Sequence, residues 1–346
     1  MIFARTFVMA LVCLMLSMPE VVLGQCCAGG SGSPVAGGTS QGVLGASQLQ
    51  INANFQYIRS HRFFSGSKAS QEKYFDRFES AYQYYRFAYG ASSQFTMSVE
   101  LGHYFFKKET GLNQDPDRTY TSKGIADLIL FPRYTIWKAQ NQRHETTVTL
   151  GLGLKLPLGS YNDSTSRVEP FSGQVFHVPN PQAVQVTSGA QDFLFYGFLQ
   201  RKYTRGFSLY SSMLYVRKGW NPLGERMGDF ATLSLFAAKE INTYMGINLQ
   251  LRGESMRTMK VNPVIETLSF LNYDPAATGY SKVFISPQLN IELNRFAFYF
   301  LADIPVYQHV KKTQIGTGLQ IMSGISYNLP IKKSAQNVII PSLSIH

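Results

Sequence analysis

The chain has 346 residues and a formal net charge of +11, with 20 tyrosines and 25 phenylalanines but only 15% charged residues. That aromatic-rich, charge-poor balance suits strands with aromatic girdles better than a helical enzyme. The mean hydropathy is −0.09, and no second long apolar run follows the N-terminus. A multi-helix membrane protein, which needs several runs of about 18 or more apolar residues, is therefore excluded.

Residues 1–24 read as a secretory signal peptide: Arg5 supplies the positive region, Phe7 to Met18 the apolar region, and Val22-Leu23-Gly24 the cleavage signal. The reading predicts export and a mature chain beginning at Gln25. Loss of one Arg and one Glu with the signal leaves the charge at +11. Residues 25–46 form a Gly/Ser-rich lead, expected to be flexible and periplasmic. Cys26 and Cys27 are adjacent in it and close no useful loop, so they cannot staple a fold. They read as a vicinal pair on a flexible tail, or as weak candidates for capturing a metal or a redox partner. Lipidation fits poorly, because Leu23-Gly24-Gln25 departs from a lipobox.

Residues 49–59, LQINANFQYIR, alternate apolar and polar. Leu49, Ile51, Ala53, Phe55 and Tyr57 fall on one face and Gln50, Asn52, Asn54 and Gln56 on the other. The same alternation marks strands at 94–106, 147–159, 245–252, 283–294 and 313–329, with weaker segments at 80–90, 123–138, 189–203, 206–217, 228–241 and 296–308. That makes about twelve strands, each long enough to cross a bilayer at a tilt. Long connections (61–79, 108–122, 159–188, 218–227, 256–279) alternate with short ones (91–93, near Asn141, 204–205, 242–243, Arg295). Short periplasmic turns and long extracellular loops are the rhythm of an outer-membrane barrel, and an even strand count returns both termini to the periplasm. The expectation is an all-β fold: a transmembrane antiparallel β-barrel over 47–330 in the outer membrane of a Gram-negative bacterium. Its oily face would meet lipid, its amides would meet a lumen, and closure would satisfy the backbone. Residues 331–346 read as a periplasmic tail or a short extra strand.

The stretch GIADLILFPRY (124–134), followed by TLGLGLKLPLGS (149–160), resembles the outer-membrane transporters of the phenol-degradation meta-pathway type. Those proteins show a Gly-x-x-Asp-Leu strand opening, a Pro/Lys-Arg-Tyr stretch and a Gly-Leu-Gly-x-Lys-Leu-Pro-x-Gly strand. SGAQDFLFYGFLQRKY (188–203) is similar to that family's next strand, with Asp192 in its place. The resemblance covers about 124–217. The CCAGGSGSPVAGG lead lies outside it and is similar to a Bacteroidetes-like branch. The resemblance implies transport of small, often hydrophobic molecules.

No Gly-x-Ser-x-Gly, His-Glu-x-x-His, P-loop or Cys-x-x-Cys occurs, and no pair of the six histidines has metal-ligand spacing. No cofactor is implied, and an enzyme is not expected. A lipid-hydrolase barrel would rest on His103 alone, with Ser211 several strands away as its nearest nameable partner. The blander reading seats His103 in an interfacial belt with Tyr104, Phe105 and Phe106. Parity points Glu100, Lys155, Gln250, Arg252, Gln288 and Glu292 into the lumen, with Asp127, Arg133 and Asp303 as further candidates. These side chains would either form an electrostatic filter or pair across the lumen and fill it. The expected function is passage of a small, hydrophobic or anionic solute, with a structural or partner-docking barrel as an alternative. The basic charge suits anionic lipopolysaccharide outside and anionic solutes inside. Nucleic acid is discounted, because the Lys and Arg are dispersed and the chain is exported.

Overall fold

The computed structural model describes residues 42–111, 118–169, 171–264 and 274–331. The signal segment, the Cys26–Cys27 pair and the tail after Ile331 lie outside the described residues. Twelve long antiparallel strands close on themselves. They are β1 (Gln48–Ser60), β2 (Arg77–Gly90), β3 (Phe95–Thr110), β4 (Thr119–Gln140), β5 (His144–Pro157), β6 (Asp192–Tyr203), β7 (Phe207–Arg217), β8 (Phe230–Glu240), β9 (Met245–Met256), β10 (Tyr280–Leu293), β11 (Phe296–Ile315) and β12 (Gln320–Pro330). Each pairs with its neighbour in the chain, and β1 pairs with β12 from Gln48 opposite Pro330 to Ile58 opposite Gln320. Closure leaves no free edge, which is what lets strands cross a bilayer.

The alternation in β1 decides which face is inside. Gln50, Asn52, Asn54 and Gln56 are buried, whereas Phe55 is exposed. The apolar side is the outer wall throughout, with Leu152 62% exposed and Leu249 55% exposed. An exposed apolar band around a closed barrel is a lipid-facing surface. The amides are therefore the interior, as the alternation predicts.

The short turns are built by their own side chains. Asn141 Oδ1 accepts the amides of Arg143 (2.9 Å) and His144 (2.8 Å) at the β4–β5 turn. Asn242 Oδ1 accepts those of Tyr244 (2.8 Å) and Met245 (2.9 Å) at β8–β9. At β10–β11 the turn is Asn294-Arg295, with Asn294 at φ 57°, a left-handed conformation Asn tolerates. All the tight turns share one end with residues 42–47, and the long connections share the other.

Three expectations about the outer end are corrected. The segment 313–329 is not one strand: residues 313–315 finish β11 and β12 starts at Gln320. Alternation of Gly316 and Gly318 with apolar residues imitates a strand, but Gly318 instead packs against the Arg59 carbonyl. The 61–79 connection holds a small hairpin (Phe63–Gly66 with Lys68–Ser70), which adds to the extended end of β11. The 159–188 connection likewise holds a hairpin, Ser164–Val168 with Val175–Pro179.

Candidate functional site

The interior of the barrel is the candidate site, and it is divided by chemistry. Strands β12 and β1 present an amide wall. Gln50 Nε2 donates to Asn328 Oδ1 (2.9 Å), Asn52 Nδ2 to Gln50 Oε1 (3.1 Å), Gln56 Nε2 to Gln320 Oε1 (3.3 Å), and the Tyr299 hydroxyl of β11 to Asn54 (2.5 Å). Across from it, β4, β6 and β7 present an apolar wall of Ile129, Phe131, Leu194, Tyr196, Phe198, Leu214 and Val216, all buried against one another. The inward Gly151 and Gly153 of β5 make this wall possible. A methyl group at Gly151 would stand 3.1 Å from the Phe131 ring, and one at Gly153 3.0 Å from it, closer than side chains normally pack. The Gly-Leu-Gly-Leu-Lys stretch thus trades inner bulk for aromatic rings while keeping leucines toward lipid.

Charges bridge these walls in three groups. Arg86 Nε donates to Glu100 Oε1 at 2.7 Å, with both side chains almost fully buried. Arg133 lies beside this pair, its guanidinium 5.6 Å from the Phe131 ring centre. On the other side of the barrel Arg252 Nη2 donates to Asp303 Oδ2 (2.6 Å), and Ser286 donates to the second carboxylate oxygen. Arg252 also lies 3.2 Å from Glu254 and 4.8 Å from the Phe284 ring centre. Lys282 donates to Thr317 Oγ1 at 2.6 Å and sits 3.9 Å from the Tyr280 ring. Toward the outer end, Asp127–Lys155 (2.7 Å), Lys155–Asp192 (2.8 Å) and Lys218–Asp192 (2.9 Å) form a chain of alternating sign. Above it Asp229 accepts from the Lys218 amide, the Tyr215 hydroxyl and Arg226. Partial burial pushes the Asp229 pKa up, but these three donors outweigh it and hold the carboxyl below its usual range.

The residues singled out from the sequence fall as follows. Glu100, Arg133, Gln250, Arg252, Gln288 and Asp303 are buried on inner faces, and Asp127 and Lys155 are half-buried in the outer chain of charges. Glu292 is exposed near the tight-turn rim, its amide donating to the Tyr244 carbonyl at 2.7 Å. The charged groups thus pair inside the barrel rather than ringing an open hole. Arg86, Lys218 and Lys282 escaped the sequence reading, and Asp192 was noted only within a motif. For Arg86 a signal existed: an arginine among aromatic residues in the middle of a membrane strand has to face inward.

His103 faces outward beside Phe105, ring centres 5.1 Å apart. Tyr104, expected in the same belt, instead points inward and packs 4.5 Å from Tyr82. Ser211 lies on β7, four strands from β3.

The inner end is narrowed by the chain itself. The Leu44 amide donates to Thr96 Oγ1 at 2.8 Å, and Leu44 is buried. Gly42 lies against Phe198, within 3.4 Å of the ring if it carried a methyl group. Thr96 and Phe198 are both on inner faces, so residues 42–44 sit within the barrel. Gly90 has no space for a side chain, because a methyl group there would overlap the Gly45 carbonyl.

No protein-family model matches the chain, and no curated protein is similar to it. Solved structures align with it. The COG4313 outer membrane channel from Pseudomonas putida F1 aligns at a TM-score of 0.60 and 8% identity, over 85% of this chain and 99% of that one. A Pseudomonas aeruginosa FadL homologue aligns at 0.42 and 7% identity, over 83% of this chain and 91% of that one. The Pseudomonas putida toluene transporter TodX aligns at 0.37 and 9% identity, over 82% of this chain and 89% of that one. The likeness to the first of these, at 0.60, speaks for fold alone, and the fold is that of an outer-membrane β-barrel.

Proposed function

We propose that the chain is a narrow, substrate-selective outer-membrane channel for a small solute with an apolar body and a polar or anionic end. The observation that carries this reading is the split interior. A continuous apolar wall of Ile129, Phe131, Leu194, Tyr196, Phe198, Leu214 and Val216 faces amides and arginines across a space that side chains largely fill. A general porin for sugars and ions gains nothing from a buried aromatic wall, whereas an amphipathic solute can slide along it while its polar end exchanges hydrogen bonds with the opposite side. Arg133 and Lys282 are buried cations on the inner faces, and positive charge along the path suits an anionic end. The motif resemblance to the meta-pathway transporters supports the same solute class. Lumen-lining roles are proposed for Glu100, Asp127, Arg133, Lys155, Gln250, Arg252, Gln288 and Asp303, with Glu292 at the rim. Export by the 1–24 signal, with 25–46 as the lead to the barrel, is part of the proposal.

The test is uptake into liposomes holding the refolded barrel. Benzoate, an apolar ring with one carboxylate, is expected to enter faster than arabinose, a polar solute of similar size. Phe131→Ala together with Tyr196→Ala is expected to reduce that preference. Equal rates for the two solutes would refute the selectivity. The filled interior favours one other reading, a structural barrel, which predicts that neither solute enters.

A further inference from the structure

The outer wall carries a second feature that the lumen does not explain. At the long-loop end of β1, β2 and β3, one carboxylate gathers three cations on the outward face. Glu79 lies 3.8 Å from Arg59, 3.1 Å from Arg77 and 3.3 Å from Lys108, and accepts from the Tyr57 hydroxyl at 2.9 Å. Register places Arg59, Glu79 and Lys108 in one row across three strands. The carboxylate is nearly buried, at 10% side-chain exposure, whereas the cations remain open at 58%, 42% and 31%. Arg77 Nε is buried and makes no hydrogen bond. Lys123 of β4 is exposed on the same face, one residue beyond the Ser122 that turns inward.

Positive charge is therefore in surplus here. At the opposite rim the ion pairs match one lysine to one carboxylate, Lys138 to Glu145 (3.0 Å) and Lys202 to Glu240 (3.6 Å), and by register they stand on the inner-face side. The cluster also sits directly above lipid-facing rings. Tyr57 and Phe106 occupy the next row down, Lys108 lies 4.9 Å from the Phe106 ring, and Phe55 and Phe105 follow with centres 6.3 Å apart. Cations above an aromatic ladder match a lipid whose charge is in its head and whose chains run down the wall. A free anion would use the upper half only.

We infer that Arg59, Arg77, Lys108 and Lys123, organised around Glu79, form a docking site for the phosphorylated headgroup of an outer-leaflet glycolipid. The phosphates contact the cations and the acyl chains lie along Tyr57, Phe106, Phe105 and Phe55. Glu79 holds the cations in one plane without neutralising them all.

The test measures binding of bis-phosphorylated lipid A to the full-length barrel in detergent by native mass spectrometry, beside the same lipid stripped of phosphate. The Arg59→Gln/Lys108→Gln double variant keeps Arg77 opposite Glu79 and so leaves no orphaned carboxylate. It is expected to bind the phosphorylated lipid about tenfold or more weakly, and the stripped lipid is expected to bind the parent protein as weakly. Glu79→Gln, which frees charge, is expected to retain or tighten binding. Lys138→Gln/Lys202→Gln is the control and is expected to leave it unchanged. Unchanged binding in the Arg59/Lys108 variant, equal binding of the two lipids, or complete displacement by millimolar inorganic phosphate would overturn the assignment. Solute uptake is read separately, since Arg59, Glu79 and Lys108 face away from the lumen.

Discussion

Replacing Arg86 by leucine asks whether the interior is filled. Arg86 and Glu100 are 2.7 Å apart with side-chain exposures of 5% and 3%. In a filled interior the change strands a buried carboxylate and costs about 3–5 kcal/mol, a factor of roughly a hundred to a few thousand in the folding equilibrium. In a wide, water-filled lumen the same pair is a solvated surface bridge, and losing it costs about 0.2–1 kcal/mol. Glu100→Gln is expected to cost as much as Arg86→Leu, because it leaves Arg86 beside Arg133. Removing both charges together as Arg86→Leu/Glu100→Leu is expected to restore part of the loss, since neither member of the pair is stranded and only the neighbouring Arg133 loses a carboxylate. The assay is urea unfolding of the barrel refolded into phospholipid vesicles, followed by the fluorescence of Trp137, which faces lipid at 51% exposure. A single-variant loss below about 1 kcal/mol, with no recovery in the double, would refute the filled interior.

Further outcomes follow from particular contacts. Gly324→Ala puts a methyl group into the Tyr299 ring and the Asn54 oxygen. It is expected to cost about 1–3 kcal/mol in the same unfolding assay, whereas a cost near zero would mean that ring is mobile. Asp229, whose carboxyl is held below its usual range, contributes stability that is present above the unfolded-chain value near 3.9 and is lost as pH falls through its lower folded value. Proteolysis within 218–229 is therefore expected to be slow at pH 7 and fast at pH 3. Asp229→Asn is expected to be fast at both, and equal rates for the parent protein at the two values would contradict the role. Gly90→Ala drives a methyl group into the Gly45 carbonyl. It is expected to dislodge residues 42–46 and raise solute flux with little loss of barrel stability; unchanged flux would remove those residues from the path.

The strands were legible where lipid lies on one side and amides or charges on the other, as in β1 and β9. They were faint where both faces are apolar. In β6 the lipid face is Phe193, Phe195 and Leu199 and the inner face Leu194, Tyr196 and Phe198, so alternation disappears. That loss of pattern is itself the mark of the apolar inner wall. Parity sent Glu100, Gln250, Arg252 and Gln288 inward without knowledge of their partners. Arg252 meets Asp303 across non-adjacent strands, and Lys155 opposes Asp192 only through the β5–β6 register set beyond a long connection, so neither pairing could be read from spacing. The burial of Leu44 had no signal either, because a Gly/Ser-rich lead looks alike whether it is solvated or lodged in a barrel.

Single-channel conductance in a planar bilayer under a salt gradient tests the central claim of a filled, narrow interior most directly. The parent barrel is expected to give small or rare steps, and a chain lacking residues 42–46 steady, larger ones with anion preference. Large steady conductance from the parent, unchanged by the deletion, would contradict the account.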